Sequence, residues 1–118
     1  MKIAFDTPLN GVDASGNTVT LTAAQIAALT YTIFLDTVNP PVKTYPVPAA
    51  DLAAATANAN GSKHVTVNST DLGVTPVAGT TYYVAVQDSL GNAVSPESPV
   101  LIYIDAITPG SVQNFTVS

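Results

Sequence analysis

The chain predicts an all-β fold, a two-sheet antiparallel β-sandwich of about seven short strands with an extra strand at its C-terminus. Three observations carry that expectation. Residues 79–105 read as a turn, an alternating strand, a tight Gly91-Asn92 turn and a second strand, which is the pattern of a β-hairpin. Short runs rich in Thr and Val recur upstream, separated by clusters of Gly, Pro, Asn, Asp and Ser. Only 9% of the residues are charged, so Thr, Ser, Asn and Gln must form most of the surface, a composition that suits sheets better than a helical bundle.

Each element follows from its local pattern. Lys2 to Phe5 is short and apolar and opens the fold as a strand. Pro8 to Asn17 is rich in turn formers and reads as loop. Thr18 to Thr22 alternates with period two and reads as a strand. Ala23 to Leu29 fits either a continued strand or a helical turn, because Thr22 and Gln25 have the spacing of a capping box. In Thr30 to Asp36, Tyr31, Ile33 and Leu35 share one face, and Thr30, Thr32, Phe34 and Asp36 the other. Asn39-Pro40-Pro41 ends that strand. Val42 to Val47 contains Pro46, which places it at a sheet edge. Pro48 to Ala55 predicts one or two helical turns with proline in the first turn. In Lys63 to Asn68, Val65 and Val67 point inward and His64 and Thr66 outward. Asp71 to Gly79 is loop, and the hairpin follows. Residues 109–118 read as the extra strand.

Composition bounds the function. A chain of 118 residues is one domain by size and can bury a core without a covalent staple. There is no cysteine, which excludes disulfides and thiolate metal sites. The net charge of −5, with Lys2, Lys43 and Lys63 scattered and no arginine, argues against nucleic acid, whose phosphates need clustered cations. No apolar run approaches membrane-spanning length. The N-terminal residues enter a strand at once and show no extended apolar leader segment, so synthesis in the cytoplasm is expected if Met1 is the natural start.

The residues Leu72, Pro76, Gly79-Thr80-Thr81-Tyr82, Val84, Val86, Gly91 and Ser95-Pro96-Glu97-Ser98 resemble a fibronectin type III domain and its relatives among bacterial immunoglobulin-like repeats. Tyr31-Thr32-Ile33 looks like that family's strand C, and Asp88-Ser89-Leu90-Gly91-Asn92 resembles a turn common in the bacterial repeats. The likeness covers residues 30 to 105; the strand-B tryptophan of the family has no counterpart here. It implies that Tyr82 is the corner tyrosine, buried, with its hydroxyl tied to backbone in the loop after Leu72. The segment from Pro109 to Val117 looks like the opening strand of a following repeat. The expected organisation is a sandwich over residues 1–106 and a docking strand or linker over 107–118.

Chemistry finds little material. His64, the single histidine, lies on the outward phase of its strand, and no serine or carboxylate motif surrounds it. No phosphate loop, nucleophile elbow or glycosidase carboxylate pair is present in the sequence. No cofactor is expected. A weak Ca²⁺ site remains conceivable at one end of the sandwich, built from Asp13 or Asp88 with Asp105, against the reading of these residues as Asx turns. Asn68-Ser69-Thr70 and Asn114-Phe115-Thr116 match the glycosylation sequon and read as chance in a chain rich in Asn and Thr.

What remains is a surface. With Tyr82, Val84 and Val86 turned inward, and Val100, Ile102 and Ile104 expected inward beside them, the outer face carries Phe34, Tyr83, Ala85, Leu101 and Tyr103. That face, centred on Phe34, Tyr83 and Tyr103, and Phe115 in the tail are the expected contact residues. The expected role is a non-catalytic structural or interaction module, a virion component of a phage such as a capsid decoration protein or a head or tail appendage. Its partners would be other protein chains, in a lattice or as copies of itself through the sheet face or the C-terminal strand. The alternative is one repeat of a secreted bacterial adhesin, or a spacer or carbohydrate-binding module of an extracellular enzyme.

Overall fold

A computed structural model describes residues 1–118. The chain is predominantly β and all strand pairing is antiparallel. In order it forms β1 (Lys2–Asp6), β2 (Asn10–Val12), β3 (Thr18–Thr20), α1 (Ala23–Ala28), β4 (Thr30–Asp36), β5 (Thr44–Pro46), α2 (Ala49–Ala53), β6 (Thr56–Ala57), β7 (Lys63–Asn68), a 3-10 turn (Ser69–Leu72), β8 (Thr81–Leu90), β9 (Ala93–Val94) and β10 (Leu101–Ile104). One sheet has the order β1-β7-β6, and the larger sheet runs β10-β8-β4-β5 with β9 also on β8. β2 and β3 form a separate hairpin.

The alternation read from β4, β7 and β8 builds the core. Ile33, Val65 and Val67 are fully buried, and Ile3, Tyr31, Leu35, Tyr82 and Val84 join them in one cluster contributed by both sheets. Phe5 on β1 meets Tyr31 on β4 with ring centroids 5.1 Å apart, which fixes how the two sheets stand over one another. Pro46 lies in the edge strand β5, where its missing N–H leaves no ladder bond unmade.

Two segments differ from the sequence expectation, Pro8 to Asn17 and the C-terminal tail, and at a third the structure chooses between the two readings left open. Pro8 to Asn17 is not all loop: Asn10–Val12 pairs with Thr18–Thr20. Gly11 permits this, because Leu21 approaches within 3.2 Å of where a Cβ would stand. Residues 23–28 choose helix, and the Thr22 hydroxyl and the Gln25 side chain complete the reciprocal cap. The C-terminal segment forms no strand within the chain. Ile107 still touches Gly79, but Val112, Phe115 and Val117 are at least 80% exposed.

Candidate functional site

The corner between the 3-10 turn and β8 is held by Tyr82. Its ring is buried, and its hydroxyl accepts a hydrogen bond of 2.8 Å from the backbone N–H of Val77. The same ring lies 6.5 Å from that of Tyr103.

That contact corrects the predicted outer face. Tyr103 pairs with Tyr82 and Leu101 with Val84, and directly opposite residues share a face. Tyr103 and Leu101 therefore point inward, and Ile102 and Ile104 outward, the reverse of the expected phase. Apolar character alone cannot choose the phase of Val100 to Ile104, because four of those five residues are aliphatic. The outer face of the large sheet carries Phe34 opposite Ala85, and Tyr83 between Asp36 and Ile102. Phe34 and Tyr83 are half-buried, whereas Ile102 and Ile104 are 64% and 60% exposed. A water-facing sheet normally carries polar side chains at such positions. Leu101 is on the inner face yet 70% exposed, on the edge strand β10 of the large sheet.

Asp36 shares the face of β4 that carries Phe34, as the alternation predicts, yet it is buried. Its carboxylate accepts from the backbone N–H groups of Thr37 (2.8 Å), Val42 (3.3 Å) and Lys43 (3.2 Å), closing the loop from β4 to β5. Burial pushes the carboxyl pKa up, but the three donors and the Lys43 charge outweigh it and hold the group below the ordinary range.

The calcium candidates do not converge. Asp13 accepts from the backbone N–H groups of Ser15 and Asn17 within its own turn. Asp88 pairs with Tyr31 toward one end of β8, whereas Asp105 follows the Ile104–Thr81 pair at the other end. His64 lies across from Asp6, Nδ1 to Oδ1 2.9 Å, and Asn58 also donates to that carboxylate at 3.1 Å. The His64 bond, with that from Asn58, lowers the Asp6 pKa. This exposed pair has the geometry of a His–carboxylate dyad but makes no hydrogen bond to a serine or threonine hydroxyl, so no nucleophile is aligned with it.

A cleft of about 250 Å³ opens between the two sheets beside β1. Phe5 and Pro8 line one side, Val86, Ser95 and Pro96 the other, with Tyr31 between them. Burial, with the nearby charge of Asp88 adding to it, pushes the Tyr31 phenol up to about 12, so it stays neutral. Sequence reasoning missed this cleft, because it arises from the end of one sheet rather than from a motif.

No helix is long and apolar enough to cross a membrane. No protein-family model, curated protein or solved structure matches the chain.

Proposed function

We propose that this chain is a non-catalytic structural module of the fibronectin type III or immunoglobulin-like class, working as a phage virion component through protein–protein contacts. The observation that carries the reading is the outer face of the large sheet, where Ile102 and Ile104 stand in water beside Tyr83. Exposed apolar patches with an aromatic centre mark contact surfaces more often than bare solvent. The strand order β10-β8-β4-β5 and the Tyr82 corner support the fold assignment. The role as a capsid decoration or head or tail appendage rests on analogy at the level of fold. Its test is the composition of purified phage particles whose genome encodes the chain. Peptides of this chain in the particle, at stoichiometric level, support the reading; a particle without them overturns it.

A second reading has its own observation. The segment after Ile107 is exposed and its sequence resembles the opening strand of another domain, which favours a repeat of a secreted adhesin or an extracellular enzyme spacer. Further sandwich repeats in the same reading frame would favour it.

A further inference from the structure

We propose that residues 109–118 of one copy dock as an added antiparallel strand on the free edge of β1 in a second copy, with Phe115 entering the cleft beside Phe5. This deepens the reading of the chain as a module that acts through protein contacts, and rests on it.

The acceptor is an unfinished sheet. β1 has one neighbour, β7, and is an edge. Thr7 donates to Lys63, and Met1 accepts from Ser69, so the odd-numbered residues of this segment bond to β7. By alternation, the N–H and C=O groups of Lys2, Ala4 and Asp6 point away from it. Such a row of unpaired groups is a template for another strand. The cleft lies along the same side, so an added strand would find backbone partners and an apolar hollow together.

The donor is the exposed C-terminal segment. The tail bends at Asn114, whose φ is +51°, and beyond it Phe115 and Val117 stand two residues apart, both almost fully in water, so an extended strand would carry them on one phase. Residues 106–118 bear no charged side chain, so the strand needs no ion pair to enter a cleft rimmed by Asp6 and Asp88. The chain measures 74 × 30 × 25 Å with a radius of gyration of 18.9 Å. A compact domain of this length has a radius of about 13–14 Å, so the tail reaches well out of the body.

Direction selects a second copy over the same one. Phe5, near the end of β1, packs by Tyr31, which pairs with Asp88. The start of β1 therefore lies at the end of the domain where Ile104 pairs with Thr81 and the tail departs. A tail folding back on its own β1 would run parallel to it. Antiparallel pairing, the more stable kind, is open only to a tail arriving from the far end of another copy. Each copy then donates at one end and accepts beside β1, a heterologous contact that builds head-to-tail chains or rings.

The test uses two full-length variants. Phe115→Asp disables the donor, and it cannot disturb the fold because Phe115 is 80% exposed. Ala4→Pro removes an N–H that makes no bond to β7 and disables the acceptor. Sedimentation velocity is run from roughly 1 µM to 1 mM, the range of weak interfaces. The native chain should show oligomers that grow with concentration, and each variant alone should stay monomeric. A mixture of the two should stop at the 1:1 dimer, since the Ala4→Pro chain still offers a tail and the Phe115→Asp chain still offers β1. Amide exchange on the native chain should show Lys2, Ala4 and Asp6 gaining at least tenfold protection with concentration. A native chain that is monomeric throughout, or oligomers that persist in Phe115→Asp, would overturn the proposal, and so would a mixture that does not pair. Should Ala4→Pro not fold, the Phe115→Asp result and the exchange pattern decide alone. Particles that contain the Phe115→Asp chain at normal level, when the native chain does not self-associate, would sink this inference and leave the proposed function standing.

Discussion

The backbone N–H of Val77 donates to the hydroxyl of Tyr82 at 2.8 Å, so the tyrosine anchors its corner as an acceptor. The group at risk on mutation is therefore the Val77 donor. Tyr82→Phe keeps the ring packing on Tyr103 and removes that acceptor alone. The cost should be about 1–3 kcal/mol, the desolvation of an unpaired backbone group. Urea unfolding of the two proteins measures it. An unchanged midpoint would show that the corner does not depend on the bond.

The turn made part of the phase of β10 legible in the sequence, but the shift across Ser95 to Pro99 was not. Gly91-Asn92 is a two-residue hairpin loop, and Leu90 faces Ala93. Even-numbered residues of β8 must then face odd-numbered residues of the returning strand. Ser95 to Pro99 interrupts that strand but shifts it by an even number of residues, so Tyr82 still meets Tyr103. The hydrophobicity of Val100 to Ile104 pointed the other way because that run is apolar on both faces. The inward sets of β4 and β7 were legible because their polar and apolar residues alternate strictly. The burial of Asp36 was not, since it depends on backbone donors that the loop to β5 brings together. Nor was the free edge of β1, because an edge is defined by what fails to pair with it.

Asp36 predicts an acid-dependent loss of stability. Its folded pKa lies below the unfolded value of about 3.9. The carboxylate therefore adds stability above that pH, and the contribution is lost as pH falls through the lower folded value. Asp36→Asn should lower the melting temperature by several degrees at neutral pH, and the gap to the native chain should narrow in acid. Thermal unfolding across that range checks it; a gap independent of pH would assign the loss to packing instead.

Asp51 predicts the opposite sign. It lies in the first turn of α2 with Oδ2 buried and without a partner, and burial followed by the charge of Asp71 raises its pKa. A raised acid contributes stability that is complete below the unfolded value of about 3.9 and is lost as pH rises through the folded one. Asp51→Asn should thus raise the melting temperature by a few degrees at neutral pH and leave it nearly unchanged in acid. A mutant that is less stable at pH 7 would show that the carboxylate is satisfied where it stands.

Tyr83 and Tyr103 are adjacent to the same strand pair but stand on opposite faces, and their variants should separate docking from folding. Tyr103 packs on the buried Tyr82, so Tyr103→Ser opens the core and should cost about 1–3 kcal/mol in the isolated monomer. Ile102 is 64% exposed on the outer face, and Ile102→Ser should change stability by no more than about 0.5 kcal/mol. Tyr83→Ser falls between them because that ring is half-buried. If the outer face is the contact surface, Ile102→Ser combined with Tyr83→Ser should reduce incorporation into the particle at least tenfold while the monomer remains folded. Denaturant unfolding and quantitative mass spectrometry of the particle read the two effects apart. Normal incorporation of the double variant would remove this face as the docking site, and a double variant that unfolds as readily as Tyr103→Ser would assign Tyr83 to the stability of its own sheet.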